Sequence, residues 1–336
     1  MLRPLKIVRL STRCCSDFIS RMRYVNRLKE DDEECSSALQ NGQMFLFHRL
    51  SPLLQRTEQR TFRPPALITS DVQSILERLG SDGTLLKESV LIGASEQNWA
   101  QFCLDIGELD QAAAEAACGG TFVDLRKAFF LLTGPEAPLV AKGQALLRWH
   151  QTNGFSSTTG RPTRRNRAGS HRVCSSGTIY YPKMSPVVIV LVSDGKRCLL
   201  GRQSSFPRGM YSALAGFCDM GETLEETLSR ELAEEVGLEV HSVSYSSSQH
   251  WPFPHSSFML GCHATVSPAH SQLSVDHTEL EDARWFSLED ITSALLVKTP
   301  PRRGDPPVLW LPPKHAIANR LITEWTERQR SGEEGE

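Results

Sequence analysis

The sequence contains no apolar run long enough to cross a bilayer. Its longest clean run is Val187-Val188-Ile189-Val190-Leu191-Val192, whereas a spanning helix needs about 20 such residues. A basic excess is also missing. Lys+Arg is 37 and Asp+Glu is 39, a formal net charge of −2, which argues against a general nucleic-acid coat protein. Cysteine is sparse for a disulfide scaffold, at 9 in 336 residues, so reduced thiols in an intracellular compartment are the simpler reading. The His residues show no metal-binding spacing.

What is present is unevenly distributed. The length is roughly twice that of a typical domain, so two domains are expected. Arg3, Lys6, Arg9, Arg13, Arg21, Arg23, Arg27 and Lys29 crowd the first residues, opposed only by Asp17. Interspersed Ser and Thr give this segment the composition of a mitochondrial transit peptide. Residues 1–30 are therefore set outside the expected fold, with the mitochondrial matrix as the expected compartment. The acid run Glu30-Asp31-Asp32-Glu33-Glu34 marks the far side of the segment.

Residues 44–150 read as a first α+β domain. Met44–Leu50, Ser89–Ile92 and Phe102–Ile106 are strand-like. Val123, Ala128, Phe129, Leu131 and Leu132 suggest a buried helix, and Leu139, Leu146, Leu147 and Trp149 suggest another after Pro138. Residues 151–182 turn to Thr, Ser, Gly and Arg. Arg161, Arg164, Arg165, Arg167 and Arg172 lack aromatic interleaving, so a solvated linker or degraded module is expected rather than an RNA-binding patch. A second domain is expected over 183–328, and 329–336 as a loose tail.

The chemistry concentrates in one stretch of that second domain. Thr223 is a plausible N-cap, with Glu226 completing a capping box. Leu224, Leu228, Leu232 and Val236 recur every four residues, which predicts a helix over 224–236 ending at Gly237. Glu231, Glu234 and Glu235 then project from one face. Eight acids fall within residues 219–239 against one base, Arg230. Crowded carboxylates repel unless cations bind among them, and hard oxygen donors suit Mg²⁺ or Mn²⁺. Mg²⁺ usually shares its shell with substrate phosphates, so a phosphorylated substrate is implied.

Gly216, Glu222, Arg230, Glu231, Leu232, Glu234, Glu235, Gly237 and Leu238 fill every fixed position of the Nudix box, and the sequence resembles a Nudix hydrolase. That resemblance implies an α/β/α sandwich. It also implies hydrolysis of a nucleoside diphosphate linked to another moiety. Arg230, Glu231, Glu234 and Glu235 become the expected catalytic residues. Glu231, Glu234, Glu235 and Glu279 become the expected metal ligands, with the carbonyl of Ala215; Glu281 is the alternative to Glu279.

Downstream, Ser248-Gln249-His250-Trp251-Pro252-Phe253-Pro254-His255-Ser256 is a stiff segment whose rings suit stacking on a base or nicotinamide. It resembles the Ser-Gln-Pro-Trp-Pro-Phe-Pro-x-Ser signature of NAD(H) pyrophosphatases, with His250 in the place of a proline. Gln249, Trp251, Phe253, Ser256 and Ala318 are the substrate-binding residues this implies. NADH or NADPH is the expected substrate. ADP-ribose, a dinucleoside polyphosphate, an NAD-capped RNA end or a non-catalytic nucleotide sensor are the rivals. Apart from such an RNA end, nucleic acid is not expected as a partner, nor is a membrane; a homodimer is a family-based expectation. Relatives often carry a four-Cys zinc ribbon between the domains. Here Ser156, Thr159 and Gly177 stand at three ligand positions with Cys174 at the fourth, so the linker is a degenerate ribbon and no zinc is expected.

Overall fold

The computed structural model describes residues 15–58, 61–81, 83–132, 136–297 and 308–332. Two compact units divide between Lys183 and Met184.

The first unit begins with two helices, α1 (Cys15–Glu30) and α2 (Asp32–Leu39). Strands β1 (Gln43–His48), β2 (Ser51–Arg56), β3 (Phe62–Arg63) and β4 (Leu67–Ile68) follow, then α3 (Thr69–Arg78), β5 (Val90–Ala94) and β6 (Ala100–Asp105). Helix α4 (Gln111–Cys118), β7 (Thr121–Phe122), α5 (Leu125–Leu131) and α6 (Glu136–Thr152) complete the main body. Its sheet runs β3-β2-β1-β6-β5, with β4 added to β1 and β7 to β2. The expected single strand 44–50 ends early because Arg49 and Leu50 take positive φ. Their amides donate to the Asp105 carboxylate, which makes a tight β1–β2 corner. Helix α6 starts before Pro138 rather than after it. Proline is tolerated there because first-turn amides have no intrahelical acceptor. The side chain of Phe129 lies outside the described residues.

Two expectations are corrected in this unit. Residues 1–30 are not all external to the fold: Leu28 is fully buried in the first core, with Tyr24 and Val25 packed against it. Residues 1–14 lie outside the described set. The Arg-rich segment is not simply solvated. It forms a three-stranded sheet of β8 (Thr163–Arg165), β9 (Arg172–Cys174) and β10 (Ile179–Tyr180). Arg165 donates to the carbonyls of Lys87 and Glu88. Arg167 donates to Lys87, Ser89 carbonyl and Ser89 Oγ, and Arg172 binds Thr163 and His150. At the ribbon positions, Ser156 Oγ lies 2.7 Å from Tyr180 Oη and Thr159 Oγ1 lies 3.6 Å from Cys174 Sγ.

The second unit contains β11 (Ser185–Ser193), β12 (Arg197–Arg202), β13 (Leu214–Phe217), α7 (Leu224–Val236), β14 (Ser242–Trp251), β15 (Ser257–Thr265), β16 (Asp282–Ser287), α8 (Leu288–Leu295) and α9 (Ile317–Ser331). Its sheet runs β14-β15-β11-β12-β16, with β13 paired to β11. The β11–β15 pair is parallel and the rest antiparallel. The unbroken apolar run of β11 follows from burial on both faces. Val187, Ile189 and Leu191 enter a core shared with Leu321, Ile322 and Trp325 of α9. Val190 and Val192 enter another with Leu228, Leu232 and Val236 of α7. This is the α/β/α sandwich. The loose-tail expectation is corrected: α9 extends to Ser331, and Gln329 donates to the Gly195 carbonyl. Residues 333–336 lie outside the described set.

Removing a buried Leu from a packed core costs about 2–5 kcal/mol. A chain that begins at Asp31 is therefore expected to be less stable than one that begins at Cys15 by at least about that amount. Urea unfolding of the two chains checks this, and equal midpoints would place Leu28 outside the cooperative core.

Candidate active site

The site is assembled around α7. Thr223 caps the helix by accepting from the Glu226 amide, Glu226 returns a bond to the Thr223 amide, and Gly237 ends it at φ 67°. Leu228, Leu232 and Val236 bury one face. That fixes the rotation of the helix, so Arg230, Glu231, Glu234 and Glu235 are presented together from the rest of it.

Arg230 is the hub. Its Nε and Nη2 grip the Glu222 carboxylate at 2.6 and 2.9 Å. Its Nη1 donates to Glu231 Oε1 and Glu234 Oε2, each at 2.9 Å. Its Nη2 also donates to the Phe217 carbonyl at 2.9 Å. Glu222 is held at a pKa of about 2 by Arg230, with help from the Asp219 amide and the Thr227 hydroxyl. One guanidinium thus ties the loop 217–222 to the helix face.

Gly216 explains why that grip is possible. A Cβ at this position would lie 1.8 Å from the Glu231 carboxyl carbon. The Glu231 carboxylate therefore occupies the space that any side chain at 216 would take. Ala215 precedes it on β13, paired with Ile189 of β11. Burial raises the Glu231 pKa, against the pull of Arg230.

Glu235 is the unusual member. It is 4% exposed, and its Oε2 has no hydrogen-bond partner among the described residues. Burial, followed by repulsion from Glu231, Glu279 and Glu234, pushes its pKa up to about 8. The loop after β15 places Glu279 in this field: the Ser274 and Asp276 amides donate to the Val236 and Glu235 carbonyls, and the Glu279 amide closes a turn on Asp276. Glu281 is instead paired with Arg202 at 3.1 Å. Among the described residues no three His, Cys, Asp or Glu side chains form a ready-made metal cage. The cluster nevertheless fits a hard divalent ion, because a buried carboxylate oxygen without a partner, surrounded by like charge, lacks only a cation. Few protein ligands plus phosphate oxygens is the usual Mg²⁺ arrangement.

Residues 249–251 end β14, and 252–256 lead into β15. Gln249 does not present its amide freely: Nε2 donates to the His315 carbonyl and Oε1 accepts from the Ile317 amide, so it braces the start of α9. Ser256 Oγ is hydrogen-bonded to His250 Nε2 at 2.7 Å. Trp251 packs half-buried on the core and meets Phe253 edge-on, centroids 5.6 Å apart at 79°. Ala318 is buried in that core. These four positions are each engaged by contacts within the protein, and Phe253 is a half-exposed ring beside them. Phe217 was not singled out from the sequence. It is 55% exposed beside Gly216, with its carbonyl held by Arg230. Its place in the box is unspecified, so no pattern marked it.

Comparison with known proteins finds relatives of both units. A NUDIX domain model matches residues 183–307, and a model of the NADH pyrophosphatase-like rudimentary NUDIX domain matches residues 41–149. The mouse protein named NAD(P)H pyrophosphatase NUDT13, mitochondrial, is 50% identical over 329 residues, 94% of this chain and 93% of that protein. The chain belongs to the Nudix family. The human protein of the same name is also 50% identical, over 330 residues. Human NAD-capped RNA hydrolase NUDT12 is 39% identical over 209 residues, 59% of this chain and 43% of that protein. In this Nudix chain the box glycine, Glu231 that fills the space beside it, and Arg230, which also holds Glu222 and Glu234, are one interlocked unit.

Two outcomes follow from the interlock. Gly216→Ala displaces the Glu231 carboxylate by about an ångström or more while leaving the helix in place. Turnover is expected to fall on the order of 10²-fold with little change in melting temperature, read from steady-state kinetics and calorimetry. Glu235→Gln removes a carboxyl whose folded pKa lies above its unfolded value. That carboxyl makes metal-free protein less stable as pH rises from about 4.5 toward 8, by about 1–3 kcal/mol at neutral pH. The variant is expected to melt higher without metal at pH 7.5, to lose that pH slope, and to lose the stabilisation by Mg²⁺ or Mn²⁺. A variant that melts lower and still responds to metal would contradict this.

Proposed function

We propose that this chain hydrolyses the central pyrophosphate of NADH or NADPH, giving reduced nicotinamide mononucleotide plus AMP or 2′,5′-ADP. The observation that carries the reaction class is Glu235, whose buried Oε2 has no hydrogen-bond partner among the described residues and lies in a field of like charge. The substrate class is supported by the names of the relatives that match almost the whole chain. Mg²⁺ or Mn²⁺ would be held by Glu231, Glu235 and Glu279, with Glu234 and the Ala215 carbonyl at the rim. Bound there, such an ion offsets phosphate charge and lowers the pKa of a water for attack on phosphorus.

The chain's own groups do the positioning. Arg230 holds Glu231 and Glu234 at fixed spacing against their repulsion. Gly216 leaves room for the Glu231 carboxylate at the strand end. Phe217 and Phe253 offer exposed ring surface for a base or nicotinamide, and Trp251 backs Phe253 from the core. Gln249 keeps the start of α9 against the same strand. The compartment we infer is the mitochondrial matrix, from the basic N-terminus and from relatives named as mitochondrial.

Purified protein incubated with NADH and Mg²⁺ or Mn²⁺ is expected to yield reduced nicotinamide mononucleotide and AMP by chromatography, and none with chelator. Glu231→Gln should lower the rate by about 100-fold, a loss of about 2.7 kcal/mol of transition-state stabilisation. Absence of product from NADH, NADPH and NAD⁺ with either metal would overturn the substrate assignment. Full activity of the variant would overturn the site.

A further inference from the structure

The hairpin between β14 and β15 presents the aromatic pair. Register pairing stops at His250↔Phe258 and Trp251↔Ser257. Residues 252–256 lie beyond it, and Pro252 and Pro254 carry no amide hydrogen to donate. Ser256 closes the tip with φ +74°, a left-handed conformation that disfavours a non-glycine residue. Its carbonyl accepts from the Ser185 amide of β11 at 3.0 Å. Its hydroxyl is bonded to His250 Nε2 at 2.7 Å, across the mouth of the hairpin. That bond joins a paired residue of β14 to the last residue of the tip.

The residue making the bond is the one that departs from the signature. A proline at 250 would stiffen the chain entering the tip but has no side-chain donor or acceptor, so the Ser256 hydroxyl would be left to other partners. We infer that His250 is a positioning residue that, through Ser256, sets the tip geometry and thereby the affinity for the dinucleotide. The inference rests on reading this tip as substrate-binding. His250 fixes where Phe253 stands relative to Trp251 and takes no part in the bond-breaking step. Ser256 in this chain is part of the clamp.

Replacement of the clamp separates this role from general support of the fold. His250→Ala and Ser256→Ala are each expected to raise KM for NADH roughly 3–10-fold, the worth of one hydrogen bond, with kcat changed by less than about two-fold. The double variant should be no worse than either single one, because both remove the same bond. His250→Gln, whose amide nitrogen can take the place of Nε2, should recover most of the affinity. Ser256→Gly relieves the backbone conformation and loses the hydroxyl, so it should raise KM without lowering the melting temperature. Amide hydrogen exchange at Phe253 and His255 should quicken in His250→Ala, a readout that needs no turnover. Unchanged exchange in His250→Ala would overturn the clamp. Active wild-type protein with unchanged KM in His250→Ala, or additive KM effects in the double variant, would overturn its role in binding. Inactive wild-type protein with quickened exchange would sink the NADH assignment and leave the clamp standing.

Discussion

Mutual repulsion among carboxylates is the constraint on which the second unit depends. Glu222, Glu231 and Glu234 are gathered around one guanidinium, with Glu235 and Glu279 in the same field of negative charge. Arg230 satisfies three of them directly, while one buried oxygen of Glu235 has no hydrogen-bond partner among the described residues. A fold selected for stability alone would not bury that group, since burial without a partner is costly. The helix survives because its other face is anchored by Leu228, Leu232 and Val236 and because both ends are capped. The apolar face stabilises, and the charged face stores the imbalance that a cation can use.

The sheet delivers the remaining parts to that face. β11 is covered on both sides, so it can serve α7 through Val190 and Val192 and α9 through Ile189 and Leu191. β13 hangs on β11 and brings Gly216 under Glu231. On the other edge, β14 and β15 carry the hairpin whose tip holds Phe253, and Gln249 fastens the base of that hairpin to the start of α9. Each half of the site is thus set by contacts between the sheet and one of the helices packed on it.

The box helix was legible in the sequence almost to the residue. Its signals are local: a four-residue apolar period, a capping box and a terminal glycine. The covered strand β11 was legible because a continuous β-branched run has few other uses. What the sequence hid depends on distant partners. Arg165 and Arg167 look solvated until residues 87–89 are seen to receive them, almost 80 positions away. The bonds of Gln249 to the α9 backbone and of Ser256 to His250 are equally invisible in the letters. Glu279 and Glu281 are two residues apart and equivalent as letters; only the Arg202 pairing separates them. Composition alone assigned the first 30 residues to a leader, and it cannot reveal that Leu28 faces a core.

That core has an order of assembly built into it. Leu28 packs in the same cluster as Ala168, and the Asn166 side chain donates to the Lys29 carbonyl, 137 residues apart in sequence. The first core is therefore complete only when residues 166–168 have joined it to the helix that carries Leu28. Contacts of such long separation are slow to close, so the seam between α1 and the Arg-rich segment is expected to close after local pairs such as β1 with β2.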